Sequence, residues 1–168
     1  FGPGRVAAVF LTHFHSDHID GLGELAMLRW VGAAHTAPLP VHGPNGVEQI
    51  VEGFNLAYRA DFGYRTAHHG EAIAPPSGAG SRAVAFESPA DGTPVVVWQH
   101  GGLTVTAFTV GHEPVEPAVG YRFDYAGRSV VISGDTRKVD AVASVARGAD
   151  LLVHEALALG AHVFCEKP

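Results

Sequence analysis

The stretch Thr12-His13-Phe14-His15-Ser16-Asp17-His18 places three imidazoles and a carboxylate within six residues. It directly follows the apolar run 6–11, which predicts a strand buried on both faces. Because side chains alternate along an extended segment, His13 and His15 should point the same way and can bind one metal ion. The pair Asp17-His18 comes where the chain turns, so it can face a second metal. Imidazole nitrogen and carboxylate oxygen are ligands that suit Zn²⁺, and also Fe or Mn.

Composition bounds the classes of protein to which the chain can belong. Of its 168 residues, 46% are hydrophobic and 17% are charged, so a folded core is expected. The formal net charge of −6 argues against a surface built for general binding of a phosphate backbone. The single cysteine, Cys165, excludes a disulfide framework within the chain and a thiolate-rich zinc site. No apolar run reaches the roughly 18 residues of a transmembrane helix, so we expect no membrane partner and a cytoplasmic protein.

Hydrophobic periodicity and turn residues predict a sheet-based α/β domain. Helices are predicted over about 21–31, 45–59 and 139–147, the second of them capped by Asn45 and Glu48. Short strands are predicted over 39–44, 83–87, 94–99, 103–110, 118–125, 128–133 and 151–153. Polar loops are expected over 13–20 and over 60–80, and the longer of these contains His68 and His69. Hairpin turns are predicted at Gly101-Gly102 and Ala126-Gly127.

The H-x-H-x-D-H run resembles the signature of the metallo-β-lactamase fold superfamily. Two later segments match that family in order, because Gly111-His112 follows one predicted strand and Ser133-Gly134-Asp135-Thr136 follows another. Taken alone, His112 could be an ordinary strand-end histidine, and Asp135 could be a turn residue or a helix cap. The resemblance implies an α/β fold, an αββα four-layer sandwich, with residues 1–168 in a single domain. It implies six metal ligands: His13, His15 and His112 for the first metal, Asp17 and His18 for the second, and Asp135 between the two.

Another segment points to one branch of that superfamily. The run Asp150-Leu151-Leu152-Val153-His154-Glu155-Ala156 is similar to the HEAT-type segment of ribonuclease Z and its relatives, although Leu157 stands where the family has threonine. In that branch His154 and Glu155 would lie near the site and handle protons, while Asp17 would orient the nucleophile. The alternative is a buried strand end with a satisfied histidine.

The resemblance implies a hydrolase with two Zn²⁺ ions, or Fe or Mn in their place, that attacks an ester with a metal-bridging hydroxide. A phosphodiester is the favoured substrate. A lactone, an aryl sulfate or another ester is an alternative, as are a mononuclear iron oxidoreductase on the same fold and a non-catalytic metal-binding module. We expect a small-molecule or nucleotide ester as partner. The charge balance gives no support to RNA, and a homodimer is compatible with the sequence.

Two parts of the family pattern are expected to be missing. Only five residues precede the first predicted strand, where the family has a hairpin of strands. No histidine-bearing strand is predicted beyond Glu155, so His162 receives no metal role. We therefore expect a domain that is incomplete at both ends, lacking its N-terminal strands and its C-terminal histidine-bearing region.

Overall fold

A computed structural model describes the backbone of residues 2–89, 93–156 and 161–166, and the side chains of residues 2–89 and 93–154. Helices and strands form a mixed α/β fold in this part of the chain, which confirms the predicted class. The chain divides into two compact units, Phe1–Ala85 and Phe86–Pro168. Among the described residues, no helix is long and apolar enough to cross a membrane.

The first unit contains a three-stranded sheet in the order β1-β2-β3. Its elements are β1 (Val9–Phe10), α1 (Ser16–Ile19), α2 (Leu22–Ala33), β2 (Leu39–Pro44), α3 (Val47–His69) and β3 (Ser81–Phe86), with 3-10 turns at Pro3–Arg5 and Pro76–Gly78. Strands β1 and β2 run parallel, with Val9 opposite Val41 and Phe10 opposite His42. The core beneath this sheet is formed by Leu11, Leu22, Ala26, Leu39, Val41, Val47 and Val51.

The first strand is shorter than predicted, and the polar segment after it is partly helical. Only Val9–Phe10 pair as a strand, and both residues are half-buried, so the prediction of a strand buried on both faces over 6–11 is wrong. The carbonyl of Val6 instead accepts a hydrogen bond from the Arg29 guanidinium, at 2.8 Å. One turn of helix, Ser16–Ile19, replaces the predicted loop, and Asp17 in its first turn favourably faces the positive end of the helix dipole.

Helix α3 extends ten residues beyond its predicted end. Phe62 packs edge-on against the buried Trp30, with ring centroids 5.7 Å apart, so the second half of the helix has a core of its own. The hydroxyl of Thr66 donates to the carbonyl of Ala74 at 2.9 Å, and Gly70 ends the helix at a positive φ of 79°. The prediction of a loop from residue 60 is therefore wrong, and His68 and His69 lie in the last helical turn.

The start of α3 also differs in detail from the predicted cap. Gly46, not Asn45, occupies the N-cap position, and its φ of 107° favours glycine there. The Glu48 carboxylate accepts a hydrogen bond from the backbone N–H of Gly46 at 3.0 Å. The predicted acidic partner is thus used, but the cap is one residue further along the chain.

The second unit contains a six-stranded sheet in which the strands follow one another in chain order. Its elements are β4 (Val95–His100), β5 (Leu103–Thr109), β6 (Val119–Tyr125), β7 (Arg128–Ile132), α4 (Asp140–Val145), β8 (Leu151–Ala156) and β9 (Ala161–Glu166). Strands β4 to β7 are antiparallel neighbours, and α4 connects β7 to the parallel strand β8. The core under α4 is formed by Phe108, Val110, Ala118, Val131 and Val142.

Both predicted hairpin turns of this sheet are present. Gly101 and Gly102 have φ angles of 57° and 84°, and Ala126 and Gly127 have φ angles of 49° and 75°. Two consecutive positive φ angles are typical of the two-residue turn whose twist matches that of antiparallel strands. These turns set the register of β4 with β5 and of β6 with β7.

The expectation that no strand follows β8 is wrong. A strand after β8 was not predicted, yet β9 pairs antiparallel with it, and His162 lies opposite Glu155 in the register. A six-residue run such as 161–166 is too short for its periodicity to decide between helix and strand. The side chains of Glu155 and His162 lie outside the described residues.

Candidate metal centre

In the first unit, His13 and His15 meet immediately after β1. The Nε2 atom of His13 lies 3.0 Å from Nδ1 of His15, so the two imidazoles face one another as the alternation of an extended segment requires. His13 is fully buried, and its Nδ1 atom lies 3.1 Å from the hydroxyl oxygen of Thr12. Its ring is therefore engaged at both nitrogens, which fixes its orientation.

The spacing of these two nitrogens fits a divalent metal. Two ligand nitrogens at about 2.0–2.1 Å from a tetrahedral zinc ion lie about 3.3 Å apart. The observed separation of 3.0 Å between His13 Nε2 and His15 Nδ1 is close to that value. A cation bound by both rings would take the place of the proton that a hydrogen bond between these nitrogens requires.

His18 and Asp17 lie beside this pair on helix α1. The ring of His18 packs on that of His13 with centroids 4.3 Å apart. The Nε2 atom of His18 lies 3.5 Å from a carboxylate oxygen of Asp17, whose side chain is 79% exposed. The turn of helix places this second imidazole–carboxylate pair next to the first two histidines, and its carboxylate is open to solvent.

His42, a buried histidine on the neighbouring strand, packs against an aromatic ring. His42 on β2 stacks on Phe10 of β1, with ring centroids 4.8 Å apart and planes at 20°. Burial lowers the pKa of the His42 imidazole, and the positive charge of Arg82 lowers it further. His42 is therefore a neutral packing residue of the first sheet.

In the second unit, three strand ends bring the other predicted residues to one edge of the sheet. Because β5 and β7 are each antiparallel to β6, they run in the same direction, and β8 is parallel to β7. His112 follows β5, Asp135 follows β7, and His154 lies near the carboxyl end of β8. Side chains for chemistry commonly gather where the carboxyl ends of such strands meet.

The loops after β5 and β7 are held to each other by hydrogen bonds. The backbone N–H of Gly111 donates to the Thr136 hydroxyl oxygen at 3.1 Å, and the N–H of Arg137 donates to the Gly111 carbonyl at 2.8 Å. A Cβ on Gly111 would lie 2.8 Å from Nε of Arg137 and 3.0 Å from a methyl of Val139, so only glycine permits this approach without a shift. This contact fixes the position of His112 relative to Asp135.

His112 and Asp135 point toward each other from these two hydrogen-bonded loops. The Nε2 atom of His112 lies 3.9 Å from a carboxylate oxygen of Asp135. Asp135 is buried, and 22% of the His112 side chain is exposed. A nitrogen and an oxygen donor at a partly accessible edge are chemically suited to a divalent metal.

His154 is oriented by Ser133, a residue for which the motifs indicate no role. Its Nδ1 atom lies 2.9 Å from the hydroxyl oxygen of the buried Ser133. Three hydroxyl residues support the predicted site residues in this way. Two of them contact a histidine ring and one joins two loops: Thr12 contacts His13, Ser133 contacts His154, and Thr136 contacts Gly111. Because they stand beside histidine and aspartate in the motifs, these residues could have been suspected of a supporting role. Residue type alone does not show which group a hydroxyl will contact.

Comparisons with known proteins identify the family to which the chain belongs. A family model described as "Beta-lactamase superfamily domain" matches residues 2–164. Ribonuclease Z of Mycobacterium bovis is 40% identical over 155 residues, which cover 91% of this chain and 52% of the relative. Ribonuclease Z of Mycolicibacterium gilvum is 39% identical over 155 residues, covering 91% of this chain and 51% of the relative. The chain thus spans about half the length of the curated relatives that it matches.

Two solved structures show the same fold. The short form of human tRNase Z (ELAC1) superimposes with a TM-score of 0.60 at 22% identity, covering 92% of this chain and 59% of that one. The metallo-beta-lactamase fold protein YhfI of Bacillus subtilis gives a TM-score of 0.57 at 23% identity, covering 90% and 49%. The solved structures confirm the predicted fold, and the family model and the ribonuclease Z relatives confirm the predicted resemblance to the ribonuclease Z-like branch. Because the family model matches residues 2–164 of its 168 residues, the chain belongs to the beta-lactamase superfamily.

Proposed function

We propose that the protein is a metal-dependent phosphodiesterase of the ribonuclease Z type, with RNA as its substrate. The observation that carries the proposal is the 40% identity to a ribonuclease Z over 91% of the chain. A match of that length includes residues of both units. The net charge of −6 gives this proposal no support, and RNA binding would require a local basic surface.

The proposed metal ligands follow the order of the motifs along the chain. His13, His15 and His112 would hold one metal, Asp17 and His18 would hold another, and Asp135 would complete the ligand set. Two observations support the assignment: the 3.0 Å approach of the His13 and His15 nitrogens within one unit, and the 3.9 Å approach of His112 to Asp135 within the other. Zinc is the proposed metal, since imidazole and carboxylate donors suit it.

When bound, the metals would supply Lewis-acid activation of a water molecule and of the phosphodiester. The residues of the chain then have separate tasks. The buried His13, held by Thr12, keeps one donor rigid, while the exposed Asp17 carboxylate orients the attacking water and accepts its proton. His154 and Glu155 handle the proton that the leaving oxygen requires. Rigid donors of this kind lower the barrier because they need no rearrangement during the reaction.

Cleavage of a precursor transfer RNA transcript by the purified, zinc-supplemented protein tests this function. Wild type should cut the RNA endonucleolytically and leave a DNA of the same sequence intact. Asp135→Asn, which is nearly isosteric but a weaker ligand, should lose the activity. Equal cleavage by wild type and Asp135→Asn would refute the proposed site, and no cleavage by the metal-loaded wild type would refute the proposed substrate.

A further inference from the structure

The buried Ser133 makes three hydrogen bonds at the ends of β7 and β8, one through its backbone and two through its hydroxyl. The backbone N–H of Ser133 donates to the carbonyl of Val153 at 3.1 Å, which extends the pairing of the two strands by one residue. Its Oγ atom lies 2.7 Å from the carbonyl oxygen of Gly134 and 2.9 Å from Nδ1 of His154. Ser133 is fully buried, so this geometry is held by the surrounding sheet.

The single proton of that hydroxyl decides which nitrogen of His154 is protonated. A carbonyl oxygen only accepts hydrogen bonds, so at 2.7 Å the Ser133 hydroxyl must donate to Gly134. Its remaining capacity is to accept, and the only donor that His154 can offer at 2.9 Å is an N–H at Nδ1. The reverse arrangement would leave two oxygen lone pairs facing each other at 2.7 Å with no proton between them.

We propose that Ser133 is a positioning residue that holds His154 in the Nδ1-protonated tautomer and leaves Nε2 as its proton-accepting nitrogen. The hydrogen bond made by one ring nitrogen of a histidine sets the protonation of the other. The hydroxyl of Ser133 is in turn fixed by its hydrogen bond to the carbonyl of the next residue. A chain of two hydrogen bonds therefore connects Gly134, Ser133 and His154.

The catalytic consequence of this tautomer rests on the proposed function. If His154 handles the proton of the leaving oxygen, Nε2 is the atom that takes up and delivers that proton. A general acid or base acts efficiently only when the correct nitrogen faces the reacting group. Without the Ser133 hydroxyl, the neutral ring can populate the other tautomer or rotate, and a fraction of molecules would present the wrong nitrogen.

Nitrogen-15 NMR of the histidine side chains tests the tautomer directly. The His154 resonances are assigned by their loss in His154→Gln, and spectra are recorded at alkaline pH, where imidazoles are neutral. We expect a protonated Nδ1 and a bare Nε2 in wild type, and shifts averaged between the two tautomers in Ser133→Ala. Protonation at Nε2 in wild type would overturn the proposal. So would an unchanged Nδ1-protonated ring in Ser133→Ala.

Two further variants separate positioning from a general effect on folding. Ser129→Ala removes another buried hydroxyl from β7 that does not contact His154, and it should leave the His154 spectrum unchanged. Ser133→Thr retains the hydroxyl and should retain the Nδ1-protonated tautomer, while averaged shifts in that variant would contradict the assignment. If Ser133→Ala fails to fold, the wild-type spectrum and Ser133→Thr still decide the question.

Turnover provides the second readout. At equal zinc content, kcat of Ser133→Ala for a phosphodiester should fall about 10-fold, within the range typical of residues that orient a functional group. Ser133→Thr should recover most of this loss. Full activity in Ser133→Ala would overturn the positioning role. Inactivity of the wild type would instead refute the proposed function, while the tautomer would still be decided by the NMR spectrum.

Discussion

The Nε2 atom of His13 and the Nδ1 atom of His15 lie 3.0 Å apart, on one side of the segment that leaves β1. His13 is completely buried and His15 is exposed, so the pair extends from the core of the first unit to its surface. A core-anchored donor costs little further conformational entropy when it binds an ion, because its ring is already ordered. The first unit therefore presents a pair of imidazole nitrogens whose buried member is already ordered.

Removal of the buried member of this pair should abolish tight metal binding. His13→Gln loses one nitrogen donor, and we expect it to retain less than one equivalent of zinc after dialysis, measured by mass spectrometry of the metal. Phosphodiester hydrolysis should fall more than about 100-fold, beyond the range seen when only a supporting residue is lost. His100→Gln, at an exposed histidine of β4, is the matched control and should match wild type. Full zinc content in His13→Gln would disprove its role as a ligand.

The hydroxyl of Thr136 should matter for metal affinity although it is not a proposed ligand. Thr136→Val keeps the shape of the side chain but removes the acceptor for the Gly111 N–H, so the loops that present His112 and Asp135 lose one of their connections. We expect zinc affinity to drop about 10-fold in competition titrations with a chromogenic chelator. Thr106→Val on β5 is the same change away from these loops. An equal loss in both variants would contradict the role of the hydrogen bond between Gly111 and Thr136.

The length of α3 can be checked by a single glycine. A Cβ on Gly63 would meet nothing within 4 Å, and the residue lies well inside the helix Val47–His69. Gly63→Ala should therefore raise the free energy of unfolding by about 0.5–1 kcal/mol in urea denaturation. A neutral or destabilising effect would indicate that the chain is not helical at this position.

Gly120 on β6 is the contrasting control for that measurement. A Cβ there would lie 2.5 Å from Cζ of the buried Phe108 and 3.0 Å from the carbonyl oxygen of Ile132. Gly120→Ala should lower the free energy of unfolding by about 1–3 kcal/mol, the usual cost of overpacking a core. The two alanine variants thus have opposite expected signs.

Stability should depend on pH through His42. Its pKa is lowered in the folded protein, so the folded state disfavours the protonated ring, and the unfolded state binds more protons as pH falls below about 6.5. Its contribution to stability is therefore fully present above that pH and is lost as pH falls toward the lowered folded pKa. His42→Phe should flatten this dependence by at most about 1.4 kcal/mol per pH unit, the value for one proton. Identical pH profiles of wild type and variant, from thermal denaturation between pH 5 and 8, would contradict this prediction.

Local patterns predicted the second unit well because its strands are delimited by short-range signals. The turns Gly101-Gly102 and Ala126-Gly127 bound the strands on either side, and strands β4 to β7 agree with the predictions within one residue. The end of α3 could not be predicted in this way. Gly63 argues locally against a helix, and the helix continues because Phe62 packs on Trp30, which is 32 residues away in the sequence.

In the candidate site, too, local features could be predicted from the sequence and contacts between distant residues could not. The spacing of His13 and His15 indicated their common orientation, since one strand's alternation determines it. The contacts of Ser133 with His154 and of Thr136 with Gly111 depend on how neighbouring strands end, and each joins residues more than 20 positions apart. Such contacts between sequence-distant residues have no local signature.

Hydrolysis of bis(p-nitrophenyl) phosphate before and after metal removal tests the central claim most directly. The purified protein should hydrolyse this phosphodiester, lose the activity on chelation and regain it when zinc is added back. Asp135→Ala should stay inactive under all three conditions while retaining the circular dichroism spectrum of wild type. Chelator-resistant hydrolysis, or equal rates for zinc-loaded wild type and Asp135→Ala, would contradict a metal-dependent phosphodiesterase at this site.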